Sequence, residues 1–125
     1  MLSNLLQVAL GGAIGASARY LTNVSVTRWM GHGYPWGTMV VNILGSFLMG
    51  VLVVVLAKKG GTSYAPLLMI GLLGGYTTFS AFSLDVLTLY ERGEFWQAGA
   101  YVAATLVLGL GAIVAGILVT RAVMA

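Results

Sequence analysis

Apolar residues fall into four long blocks, each about the length a helix needs to cross a bilayer, separated by short polar or glycine-bearing connections. The blocks predict helices over about Ser3 to Thr22 or slightly beyond, Thr38 to Ala57, Pro66 to Tyr90, and Phe95 to Val119. Between the first two lies a connection from about Arg28 to Gly37. It holds Gly31, Gly33 and Pro35, and Trp29 and Trp36, which suit a membrane–water interface; His32 within it is read as exposed. The second block ends in Lys58-Lys59-Gly60-Gly61, a basic last turn followed by a glycine stop. Glu91-Arg92-Gly93-Glu94 is a tight polar turn into the last helix, which closes with Arg121.

The third block is interrupted. Gly74-Gly75-Tyr76-Thr77-Thr78 sits in its middle, where two glycines cost about 1 kcal/mol each relative to Ala. The two threonines divert hydrogen bonds toward the backbone. A non-helical break is predicted here, and in lipid such a break survives only where protein buries it or it lines a water-filled cavity.

Composition fixes the solvent. The 125 residues are 59% hydrophobic and 7% charged, with a mean hydropathy of +0.97, so the chain is expected to be an all-α integral membrane protein. Four spans leave no room for a second domain, and residues 1–125 are read as a single four-helix transmembrane domain. An N-terminal leader was weighed: Leu5 to Ile14 would serve as its apolar region and Ala16-Ser17-Ala18 as its cleavage site, but Met1 to Gln7 carries no basic residue, and the stretch is read as the first spanning helix. There is no cysteine, hence no disulfide or thiolate metal site. Six scattered basic residues make no nucleic-acid patch.

Charge placement bears on topology. If the first helix starts on one side, that side carries Lys58, Lys59 and Arg121, and the other carries Arg19, Arg28 and Arg92. A balance of three against three gives the positive-inside rule nothing to act on. The expectation is insertion in both orientations and an antiparallel, dual-topology homodimer, with two copies of the helix-three break near the midplane. Gly11 and Gly15, at GxxxG spacing, let another helix approach the first closely.

Several residues stand out against this apolar frame, each with two readings. Asn42, with Thr38 and Ser46 one turn to either side on the same face, is interhelical glue or part of a strip of donors lining a pore. Phe79 and Phe82 share a face; they are packing residues, or they turn positive ring edges toward a small dehydrated anion. Asp85 lies one turn beyond Phe82, either in wet interface or as a functional intramembrane acid. Arg19 either snorkels or faces a water-filled mouth where it attracts anions. Tyr101 and Thr105 lie on one face of the last helix. One exposed His, no Cys and one marginal Asp supply no acid, base and nucleophile set, so enzyme function is rejected.

Three motifs in order, Gly11-Gly12-Ala13-Ile14-Gly15-Ala16-Ser17-Ala18-Arg19-Tyr20, Asn42-Ile43-Leu44-Gly45-Ser46-Phe47 and Gly74-Gly75-Tyr76-Thr77-Thr78-Phe79-Ser80-Ala81-Phe82-Ser83, resemble the small fluoride channel and exporter family called Fluc or CrcB. The resemblance spans essentially the whole chain. It implies a multi-pass protein of the cell inner (plasma) membrane: a dual-topology homodimer with two antiparallel fluoride pores and a central structural Na+ at the dimer interface. By resemblance, backbone carbonyls of Gly74 and Thr77 hold the cation, and Asn42, Phe79 and Phe82 line the pore. Arg19 and Asp85 would lie in the vestibule. Thr38, Ser80, Tyr101 and Thr105 fit the family's polar track. Ala81 departs from a frequent threonine or serine, and Asp85 from a frequent glutamate, which questions any role that needs reach. The rival of a different class is a proton-coupled small multidrug transporter, which needs an acid deep in a helix. Helices one and two contain none. A non-conducting assembly factor would leave the break and the polar strips without a purpose.

Overall fold

The computed structural model describes residues 1–125 and contains no strand. Helix α1 spans Leu2–Met30 and α2 spans Trp36–Lys59; a single 3-10 turn at Thr62–Tyr64 leads into α3. α3 is π-helical over Pro66–Leu73 and α-helical over Gly74–Tyr76; α4 spans Phe79–Glu91 and α5 spans Phe95–Val123. The four predicted blocks are therefore present, the third divided into α3 and α4.

Helix ends follow local chemistry, and they extend past the predicted limits. α1 continues through Asn23 to Met30 and stops at Gly31, whose φ of 90° no other residue adopts easily. α2 stops at Gly60 in the left-handed conformation, after the two lysines that complement its negative end. The first connection is correspondingly short, from Gly31 to Pro35, and α5 runs four residues past Val119.

Three segments are long and apolar enough to cross a membrane: Trp36–Lys59, Thr62–Glu91 and Phe95–Val123. The chain is a multi-pass membrane protein. α1 has the same 29 residues as α5 but is not among them, because Asn4, Gln7, Ser17, Arg19, Asn23 and Arg28 lower its hydropathy.

α1 lies along α3, and α2 along α5, with α4 closing against α5. Close approach of α1 to α3 rests on glycine on both sides. A Cβ at Gly11 or Gly15 would strike the carbonyls of Leu67 and Leu72, and one at Gly75 would come within 3.0 Å of Gly12 O. The GxxxG spacing thus marks the true contact face. A core of Met39, Leu89, Ala98 and Tyr101 ties α2, α4 and α5 together, with Ile43, Phe82, Val86 and Ala104 around it. Only 18 of 125 residues are buried, so the bundle is too thin to cover its own apolar surface and depends on lipid or a partner.

Candidate ion path around the break in the third span

The chain leaves helical geometry at Thr77 and Thr78, not at the glycines. Gly74 has φ −61° and ψ −36°, which is helical, whereas Thr77 (ψ 157°) and Thr78 (φ −151°, ψ 120°) are extended. Sequence reasoning charged the break to the glycines, for their helix cost, and to the threonines together; the backbone departs from helix at the threonines. Gly75 serves contact with α1, where a Cβ would come within 3.0 Å of Gly12 O, whereas a Cβ at Gly74 would meet only Met69 O of its own segment; the π-helical stretch before them was not foreseen.

Three side-chain interactions hold the break open. Asn42 on α2 forms a two-bond clamp with the Thr78 backbone: its Nδ2 donates to Thr78 O (3.0 Å), and Thr78 N–H donates to its Oδ1 (2.8 Å). The Thr78 hydroxyl then accepts from Ala81 N–H (3.1 Å), capping α4. Arg19 donates from Nε to Gly75 O (3.1 Å). In a continuous helix the N–H of Thr78 would bond Gly74 O, and that of Ala81 would bond Thr77 O. Both donors are engaged elsewhere, which takes the i+4 partner away from those two carbonyls. On the far side, a Cβ at Gly45 would strike Thr77 Cγ2, so glycine there is what lets Thr77 lodge against α2.

The break opens on a cleft of about 320 Å³ lined by Asn42, Ser46, Thr77, Thr78, Phe79, Phe82 and Thr105, among others. Asn42 has two N–H donors, and the clamp uses one. The same amide is thus interhelical glue and part of a cleft wall. Thr105 Oγ1 is buried without a hydrogen-bond partner. Ser46 donates to Asn42 O (2.7 Å) and Thr77 to Leu73 O (3.0 Å), back-bonds that leave their oxygens as acceptors. The N-terminus of α4 meets this cleft and adds its positive dipole end. Phe79 is 78% exposed, with its ring centroid 5.8 Å from that of half-buried Phe82.

A second cleft of about 200 Å³ lies at the end of the bundle and includes Thr38, Asp85, Asn23, Thr27, Tyr34 and Arg92. Burial raises the Tyr34 phenol above its ordinary pKa, which keeps it neutral. Tyr101, fully buried, stands between the clefts: its hydroxyl donates to Asp85 Oδ2 (3.0 Å) and its ring centroid is 5.2 Å from that of Phe82. The candidate residues accordingly divide, with Asn42, Phe79, Phe82, Thr77 and Thr105 at one cleft, Thr38 and Asp85 at the other, and Tyr101 joining them. Ser80 and Gly74 line neither cleft; the Ser80 hydroxyl lies 3.3 Å from that of Thr78. Arg19 lines neither, being engaged at Gly75. Sequence reasoning named Thr78 in the break but not among the site residues, and it missed Tyr34. An N-cap threonine three residues before Ala81 was a readable signal for the first; nothing in spacing marked the second.

Comparison with known proteins shows the family of the chain. The family described as CrcB-like protein, Camphor Resistance (CrcB), matches residues 6–117. A protein of Cereibacter sphaeroides named fluoride-specific ion channel FluC is 63% identical over 125 residues, covering the whole of both chains. Proteins of the same name from Ruegeria sp. and Paracoccus denitrificans are 52% and 50% identical, covering 99% and 100% of each chain. These relatives are channels by name rather than enzymes, and the multidrug-transporter alternative gains nothing from them.

Proposed function

Because the chain belongs to the CrcB-like family, we propose that it is a fluoride-selective ion channel that lets fluoride leave the cell across the inner (plasma) membrane. The observation that supports this most is the cleft at the capped start of α4. It combines a spare Asn42 N–H, the unpartnered Thr105 hydroxyl, a helix dipole and two phenylalanine rings, with no side-chain cation to trap an anion. Hydrogen-bond donors and ring edges replace part of the water around a small anion, and none holds it as a salt bridge would. Binding is then favourable enough to enter and weak enough to leave. The Tyr101 hydroxyl and Thr38 carry the path toward the second cleft.

We further propose the assembly as an antiparallel homodimer with two pores. An open cleft with polar walls is costly against lipid, and a second copy would cover it and the exposed Phe79. α1 is taken as the fourth span, its polar residues turned inward or sited near its ends.

A structural Na+ fits the residues of the break. Gly74 O and Thr77 O are among the carbonyls at the break that lose their helical donors, and unwound backbone carbonyls at a helix end are hard oxygen ligands suited to such an ion. When bound, the ion would supply fixed positive charge between the two copies. Thr77 and Gly74 would hold it, while Asn42 and Arg19 keep the neighbouring groups Thr78 and Gly75 engaged elsewhere.

The test is efflux from liposomes loaded with fluoride or chloride, read by an ion-selective electrode. Fluoride should leave through the reconstituted protein and chloride should not. Equal release of both, or of neither, refutes the proposal.

A further inference from the structure

Tyr101 donates its hydroxyl to Asp85, yet a ring joined by two rotatable bonds needs walls to keep that hydroxyl aimed. Phe82 supplies one wall. The other comes from outside the helices. Tyr34, in the connection between α1 and α2, meets the Tyr101 ring edge-on, with centroids 5.6 Å apart and planes at 84°. Tyr34 is in turn backed by Trp36 at 4.6 Å, and its carbonyl accepts from Trp36 N–H (2.8 Å).

The connection has its own anchor. Arg92, in the turn between α4 and α5, donates from Nη2 to Gly33 O (3.0 Å) and pairs with Glu94 Oε2 at 3.3 Å. It therefore ties the two turns at this end of the bundle together, one residue away from Tyr34. Tyr34 is half-buried and also lines the second cleft beside Thr38 and Asp85. One ring thus faces the mouth of the candidate path and braces the tyrosine inside it.

From this geometry we propose that Tyr34 is a positioning residue for the ion path: its ring keeps the Tyr101 hydroxyl on Asp85, and the Arg92–Gly33 hydrogen bond keeps Tyr34 in place. The inference rests on the channel reading for its consequence in transport, but the bracing itself is a property of the fold. Tyr34 needs its ring and not its hydroxyl, since the contact with Tyr101 is made by the ring.

The test pairs a conformational readout with flux. Tyr101 carrying a fluorine on its ring gives a 19F resonance in the micelle-solubilised full-length protein. Wild type and Tyr34→Phe should give one narrow line at the same shift. Tyr34→Leu should move or broaden it, and Arg92→Met, at an exposed position, should do so too if Tyr34→Leu does not fold. In efflux, Tyr34→Leu should slow fluoride about fivefold or more, and by more than Tyr34→Phe does. In a Tyr101→Phe background the Tyr34→Leu loss should disappear, as coupled neighbours behave. An unchanged 19F line in Tyr34→Leu and Arg92→Met overturns the proposal, as does an equal flux loss in both backgrounds. Absence of wild-type fluoride flux would instead defeat the channel reading and leave the 19F result to decide the bracing.

Discussion

Replacing Asn42 by Ala removes both halves of the clamp on Thr78. Each hydrogen bond contributes about 1 kcal/mol net, and each partly buried backbone group left without a partner adds a penalty, so the loss should total about 2–4 kcal/mol. Ordinary interhelical glue in membranes gives about 0.6–2 kcal/mol, so the upper part of the range separates a clamp from a single polar contact. Asn42→Asp is the sharper variant. It keeps an acceptor for Thr78 N–H but brings an oxygen against Thr78 O where Nδ2 stood at 3.0 Å, and it presents negative charge to an anion path. Unfolding in mixed micelles would give the stability change, and fluoride efflux per reconstituted protein the functional one. We expect both variants to lose flux, and Asn42→Ala to be destabilised by at least about 2 kcal/mol. A loss under about 1 kcal/mol would refute the clamp as the support of the break.

Phe79→Ile and Phe82→Ile should each abolish most fluoride efflux while size-exclusion profiles stay unchanged; for Phe79 in particular, 78% exposure leaves little intrachain packing to lose. Normal efflux in both would defeat the ring-edge role. A C-terminal reporter should give signal on both sides of the membrane, and two or three added lysines at one end should bias it; wild-type signal on one side only would remove the antiparallel dimer. Gly15→Ala should destabilise the α1–α3 contact by a few kcal/mol, because its Cβ meets the backbone carbonyl of Leu72 and backbone cannot rotate aside. A melting profile like that of wild type would show that α1 shifts freely.

The helices were legible because each block carries its own signal: apolar length, the lysines and Gly60 at the end of α2, and the polar turn before Phe95. The break was legible in place but not in cause. Propensity identified the glycines and threonines of the stretch from Gly74 to Thr78, while the decisive hydrogen bond joins Thr78 to Asn42, 36 residues away. Spacing along one helix cannot reveal a partner on another. The same holds for Arg19 and Gly75, 56 residues apart, and for Tyr101 and Asp85. What periodicity does capture is shared faces, and it put Phe79 beside Phe82, whose rings are neighbours.

The length of α5 ties this protein to the thickness of its membrane. At 1.5 Å per residue its 29 residues extend about 43 Å, against a hydrocarbon core of about 30 Å. Its first turn carries Gln97 and its last turn Thr120 and Arg121, so its ends suit the interface and its middle the hydrocarbon. Excess of this kind is taken up by the headgroup regions, by tilting or by local thickening of the bilayer, and where α5 tilts, α2, which lies along it, leans with it. Tyr101 sits near the start of α5 and Thr105 one turn further, so the lean of this helix sets how the two clefts line up across the bilayer. For a channel of the proposed kind, lipid chain length would then act on the alignment of the path without touching it.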